Sequence, residues 1–108
     1  MAEARRISGD ELDAELAKPG PTFVEFWMTG CPACARFGPT FGELAAECEG
    51  RANLVTIEAR ENMEASRKYA IRGVPTVIVF RDGQEAQRTT GAKTLAEMRE
   101  WLAPVLGN

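Results

Sequence analysis

Two cysteines, Cys31 and Cys34, stand three residues apart just after an apolar run that contains a single acid. The stretch reads FVEFWMTGCPACARF, Phe23 to Phe37, and the acid is Glu25. Paired thiols at this spacing either cycle between dithiol and disulfide or help to hold a metal. Redox chemistry needs one of them as a thiolate, because the thiolate and not the thiol attacks a disulfide sulfur. Pro32 suits the first position of a helix, which makes Cys31 the N-cap. A sulfur there faces unpaired backbone N–H groups and the positive end of the helix dipole. With proline at the first helical position, Ala33 and Cys34 both keep N–H groups that can donate to the Cys31 sulfur. Cys34 lies one turn further on, on the inward stripe, where it is placed to resolve the mixed disulfide that Cys31 forms.

Glu25 alternates with Phe23 and Trp27 on one face of what reads as a buried strand. Ionised glutamate is almost never fully buried without a partner. One solution is a salt bridge to an arginine. The other is chemical: desolvation raises the carboxyl pKa towards neutrality, where it can take the proton of Cys34 as that thiol attacks. Cys48 ends the apolar stripe of the same helix and reads as a small buried hydrophobe, with a regulatory thiol as the rival reading.

Other uses of the paired cysteines fit less well. The chain has three cysteines and no histidine, so neither a mixed Cys/His zinc site nor a four-thiolate site can be built from one chain. A half-site shared between two chains would still be open to it. The M-x-C-x-x-C of small copper carriers is not matched, since Met28 lies one residue too far from Cys31.

The elements that must position these groups can be read around them. The length, 108 residues, suits one domain spanning residues 1–108 with one hydrophobic core. Ser8 and Glu11 form a capping box that opens a short helix to about Leu16. Thr22–Met28 reads as a strand buried on both faces. Cys34, Phe37, Phe41, Leu44 and Cys48 then follow at helical spacing, with Pro39 inside the helix. A strand at Asn53–Ala59 precedes a helix that Asn62 caps, running to about Tyr69. Thr76–Phe80 is a further apolar strand, and Asp82-Gly83 predicts a type I′ hairpin turn into a strand at Glu85–Thr89. Thr94 and Glu97 form a second capping box, for a last helix with Leu95, Met98, Leu102 and Val105 inward. The order is βαβαβα then ββα, counting a weak first strand at Ala4–Ile7. This predicts an α/β protein, a three-layer α/β/α sandwich around a mixed sheet of five strands, or four without the first.

The net charge of −3 gives no reason to expect nucleic acid or an anionic membrane as a partner. No apolar run approaches the ~20 residues of a membrane span, and no secretory signal follows the N-terminal arginines. The expectation is a cytoplasmic protein, where an unpaired cysteine count points to thiol chemistry and not to a disulfide scaffold.

VEFWMTGCPAC, Pro39 in the helix, YAIRGVPTVIVFRDGQ and Gly91 together resemble the thioredoxin family over essentially the whole chain. The resemblance implies a thioredoxin fold and a monomeric protein-disulfide reductase. In it, Cys31 attacks, Cys34 resolves and Glu25 is the proton acceptor. It implies a cis peptide bond between Val74 and Pro75, and a substrate-binding surface made by Trp27, Gly30, Pro32, Gly73, Val74, Pro75, Gly91 and Ala92. An extended substrate chain can pair with the Gly73–Val74 backbone. It implies no bound cofactor or metal, with electrons supplied by a flavoprotein thioredoxin reductase.

The sequence departs from the family pattern at several points. Gly30 stands where tryptophan usually precedes the first cysteine, Ala35 where lysine follows the second, Glu25 where aspartate is usual, and Thr56 where a strand lysine often accompanies that acid. The Cys-Pro-Ala-Cys order is closer to glutaredoxins, so a glutathione-coupled oxidoreductase is the enzymatic alternative. A cluster-binding or adaptor protein on the same fold is the non-catalytic one.

Overall fold

The strand that carries Glu25 is the central one of five. The structure, a computed structural model, describes residues 4–107. The strands are β1 (Arg5–Arg6), β2 (Thr22–Trp27), β3 (Asn53–Glu58), β4 (Thr76–Arg81) and β5 (Gln84–Thr90), in the order β1-β3-β2-β4-β5. β1 and β2 run parallel to β3, whereas β4 is antiparallel to β2 and to β5. The helices are α1 (Leu12–Leu16, entered through a 3₁₀ turn at Gly9–Glu11), α2 (Pro32–Glu47), α3 (Met63–Lys68) and α4 (Leu95–Leu102). The predicted three-layer α/β/α sandwich is found, with the weak first strand paired.

Strand alternation sorts the core into two layers. Phe23, Leu54, Val77 and Val79 face α2 and α4, where they meet Phe37, Phe41, Leu44, Met98 and Leu102. Val24, Phe26, Val55, Ile57, Ile78 and Phe80 face the other way, onto Ile7, Leu12 and Ala65. Val105 joins the first layer but lies beyond the end of α4. Glu25, between Phe23 and Trp27, therefore points to the α2 side. That is the physical reason an acid on β2 can reach the chemistry of a cysteine on α2.

Local signals set most boundaries. Ser8 donates its backbone N–H to Glu11 at 2.9 Å. Thr94 accepts from the N–H of Glu97 at 3.1 Å and donates its own to the Glu97 carboxylate at 2.9 Å. Asp82 and Gly83 both have positive φ, 53° and 78°, as the type I′ turn requires. β4 and β5 slip register at Val79/Phe80, where a bulge leaves Ala86 unmatched.

One local expectation is corrected. Asn62 sits at the N-cap position of α3, yet its side chain makes no cap bond. It accepts instead from the Gly9 N–H at 2.7 Å and donates to the Glu58 carbonyl at 2.9 Å, tying the first turn of the chain to the end of β3. α3 itself ends in a Schellman motif, with Ala70 N–H donating to Arg67 O at 3.1 Å and Ile71 N–H to Ser66 O at 2.9 Å. The residue in the left-handed position is Ala70, φ 52°, where glycine is usual.

Candidate active site

Cys31 is the N-cap of α2, in extended conformation, and Pro32 opens the helix. Its sulfur accepts from the Cys34 N–H at 3.2 Å. The expected second donor, Ala33, does not bond to it: Cys34 is the only N–H that reaches the sulfur among the described residues. Cys31 and Cys34 are joined as a disulfide, with Cα atoms 5.2 Å apart. Cys31 is partly accessible and Cys34 is only 5% exposed. The two sulfurs are thus unequal in the sense the sequence predicts.

Across from the disulfide lies the turn before β4. The Val74–Pro75 bond is cis, and the Val74 carbonyl is 4.0 Å from the Cys31 sulfur. Gly91, at φ 104°, donates its N–H to the Pro75 carbonyl at 2.8 Å. Thr76 donates its hydroxyl to Gly73 O at 2.6 Å and meets the Thr90 hydroxyl at 2.9 Å. These bonds fix Gly73, Val74, Pro75 and Gly91 as one rigid unit facing Cys31. Gly30, Pro32 and Ala92 are exposed around it. Trp27 is half-buried, with the Arg6 guanidinium 4.9 Å above its ring.

Glu25 is 3% exposed and lines one groove together with Cys31 and Cys34. The expected alternative, a salt bridge to an arginine, does not occur among the described residues. Loss of solvent pushes its pKa up to about 7. The residue beside it on β3 is Thr56, which carries no charge to hold the acid ionised. A carboxyl that ionises near neutrality, in one groove with the inner thiol, can exchange a proton with it.

Glu58 is a part of the site that sequence reasoning missed. It is 2% exposed and accepts from the N–H groups of Thr29 (2.9 Å), Arg60 (2.6 Å) and Glu61 (3.0 Å). Burial alone would raise its pKa, but these donors, Thr29 foremost, outweigh that and hold it below the usual carboxylate range. Its effect is to anchor Thr29, two residues before Cys31, to the end of β3. The signal was present: Glu58 shares strand parity with Leu54 and Thr56, so it is a second acid at the end of an apolar strand.

Cys48 is free, 1% exposed and part of the α2–α4 core layer. Burial pushes its thiol pKa up. Among the described residues no group of three or more His, Cys, Asp or Glu side chains is arranged to hold a metal ion.

A thioredoxin family model matches residues 3–104. The chain belongs to the thioredoxin family. A thioredoxin of Staphylococcus aureus is 32% identical over 97 residues, covering 90% of this chain and 92% of the relative. Two solved thioredoxins share the fold: one of Malassezia sympodialis (TM-score 0.87, 19% identity, 98% of this chain and 93% of that one) and a mutant form from Halobacterium salinarum (TM-score 0.88, 24% identity, 96% and 91%). The chain carries a Cys-x-x-Cys pair closed as a disulfide at the start of its second helix. It is a thiol–disulfide oxidoreductase acting on disulfides.

Proposed function

We propose that the protein reduces protein disulfides with Cys31 as the attacking thiol, Cys34 as the resolving thiol and Glu25 as the proton acceptor of Cys34. The observation that carries this reading is the asymmetry of the pair. Cys31 is accessible at a helix N-terminus, which favours its thiolate, while Cys34 is buried in the groove that holds an acid ionising near neutrality. The Cys31 thiolate attacks one substrate sulfur, the substrate S–S bond breaks, and the departing sulfur leaves as a thiolate. The Cys34 thiol passes its proton to Glu25 and attacks the Cys31 sulfur, which releases the second substrate thiolate and closes the Cys31–Cys34 disulfide.

The substrate chain lies extended across Trp27, Gly30, Pro32, Pro75, Gly91 and Ala92, pairing with the Gly73–Val74 backbone as an added strand. A flavoprotein thioredoxin reductase returns the dithiol. The protein acts as a monomer of one domain, residues 1–108, in the cytoplasm. No helix among the described residues is long and apolar enough to cross a membrane.

Cysteine variants test the division of labour. Cys31→Ser should be inactive in insulin reduction, and Cys34→Ser should accumulate mixed disulfides with substrate proteins, seen as reductant-sensitive bands on a gel. Trapping by Cys31→Ser and none by Cys34→Ser would reverse the assignment.

A further inference from the structure

β1 is two residues long, and both are arginines. Strand alternation sends them to opposite faces of the sheet. Arg5 donates to the buried Glu15 of α1. Arg6, level with Thr56 on β3, reaches the α2 face. There its guanidinium lies over the Trp27 ring, 4.9 Å from the centroid, and donates to the Glu61 carboxylate at 2.8 Å. The Arg6 and Glu61 side chains are 53% and 65% exposed, and a pair so wet adds little to stability. Its effect is geometric: it holds the guanidinium over the indole.

Trp27 has use for such a hold. It is half-buried at the end of β2, and none of the aromatic pairs among the described residues includes it. Glu61, which aims Arg6, donates its own N–H to Glu58 at 3.0 Å. The same Glu58 carboxylate accepts from Thr29, two residues before Cys31, at 2.9 Å. Cation, ring and the turn leading to Cys31 thus belong to one connected frame. Arg6 is not among the residues lining the groove of Cys31 and Cys34, so it meets the site through the ring.

We propose that Arg6 is a positioning residue for protein disulfides, holding the Trp27 indole in the orientation on which a bound chain packs. This rests on Trp27 being part of the substrate surface and Cys31 the attacking thiol. Arginine suits the task because its planar guanidinium stacks on an aromatic face and keeps in-plane N–H groups for a carboxylate. A bound chain that takes water from the ring strengthens the contact further. Holding the ring therefore favours binding and leaves the sulfur chemistry alone.

The test uses the full-length protein. Arg6→Met removes the charge and keeps an unbranched side chain, Arg6→Lys keeps the charge without the plane, and Glu61→Gln removes the ion pair without touching β1 or the ring. In insulin reduction Arg6→Met should raise KM about threefold, the factor an exposed cation–π contact supports, with kcat unchanged. Arg6→Lys should restore part of the loss, and Glu61→Gln should lie between Arg6→Met and the wild type. Alkylation of Cys31 by iodoacetamide, too small to span the sulfur and the ring, should keep its wild-type rate. With Trp101→Phe as background, Trp27 is the one tryptophan left. Its anisotropy decay should gain a fast component in Arg6→Met. In Trp27→Leu, Arg6→Met should have no further effect on KM.

A wild-type KM in both Arg6→Met and Glu61→Gln overturns the inference. So does an Arg6→Met effect that persists in Trp27→Leu, or one that slows Cys31 alkylation equally, since the charge alone would then be acting. Ile7 donates its N–H to Thr56 O at 2.8 Å, and its amide exchange shows whether β1 stays paired. Should that exchange speed up in Arg6→Met, an unchanged KM in Glu61→Gln alone overturns the inference. A wild type that neither reduces insulin nor is alkylated at Cys31 refutes the attacking thiol, and this inference with it.

Discussion

Replacing Glu25 by glutamine should stabilise the folded protein by an amount that grows with pH. The carboxyl is buried and ionises at about 7 in place of the ordinary 4.5. Between those values the folded state keeps a proton that the unfolded state releases. Stability of the wild type therefore falls as pH rises from about 4.5 to about 7, and is level above that. At about 1.4 kcal/mol per pH unit the ionised acid costs about 3 kcal/mol by neutrality. Glutamine has no charge to desolvate, so the variant should match the wild type near pH 4.5 and exceed it by about 3 kcal/mol above pH 7. In melting temperature that is about 13 °C for a domain of this size. The assay is urea unfolding of both proteins in the oxidised form, where Cys31 and Cys34 do not titrate, at intervals from pH 5 to 8. Taking the difference between the proteins removes every group they share. A difference that is constant across this range, or one that shrinks as pH rises, would refute the claim that desolvation dominates at Glu25.

Glu58 should show the opposite dependence. Its pKa is lowered in the folded state, so its contribution is complete above the unfolded value and is lost as pH falls through the folded one. Glu58→Gln should cost about 1–3 kcal/mol at neutral pH, less in acid, and should speed hydrogen exchange at the Thr29 N–H. Ala70→Gly should stabilise the protein by about 1 kcal/mol in urea unfolding, because glycine adopts φ 52° without the steric cost that alanine bears. Cys48, buried in the core, should resist iodoacetamide in the native reduced protein while Cys31 is alkylated. Rapid native labelling of Cys48 would mean that this part of α2 opens.

What the sequence made legible was whatever depends on near neighbours or on strand parity. The parity of Phe23, Glu25 and Trp27 was enough to send the acid to the α2 side, and Pro32 was enough to make Cys31 the N-cap. The features it hid depend on distant partners. Asn62 has the residue type of a helix cap, but Gly9, far back in the chain, offers its side chain a better bond. Glu58 was visible as an acid ending an apolar strand, but its tie to Thr29 was not, because that donor comes from the loop after β2. Ala70 carries no trace of a left-handed conformation, since the Schellman bonds and not the residue type impose it. Ala33 keeps its N–H as expected, yet among the described residues only Cys34 donates to the sulfur, a matter of local geometry that spacing cannot express. The cis Val74–Pro75 bond followed from resemblance alone.

The sheet's two borders bear on which chains the protein can hold. A protein that works on extended, partly unfolded segments is at constant risk of adding them to any unpaired strand. Here one border, β1, is two residues long. The other, β5, is broken by the bulge at Ala86 and carries the Glu85–Arg88 ion pair. Neither offers a long flat apolar template. In the binding mode proposed above, strand addition is left to the short backbone beside Cys31, so that a visiting chain is held only where its disulfide can be opened, and has little to cling to once it has been.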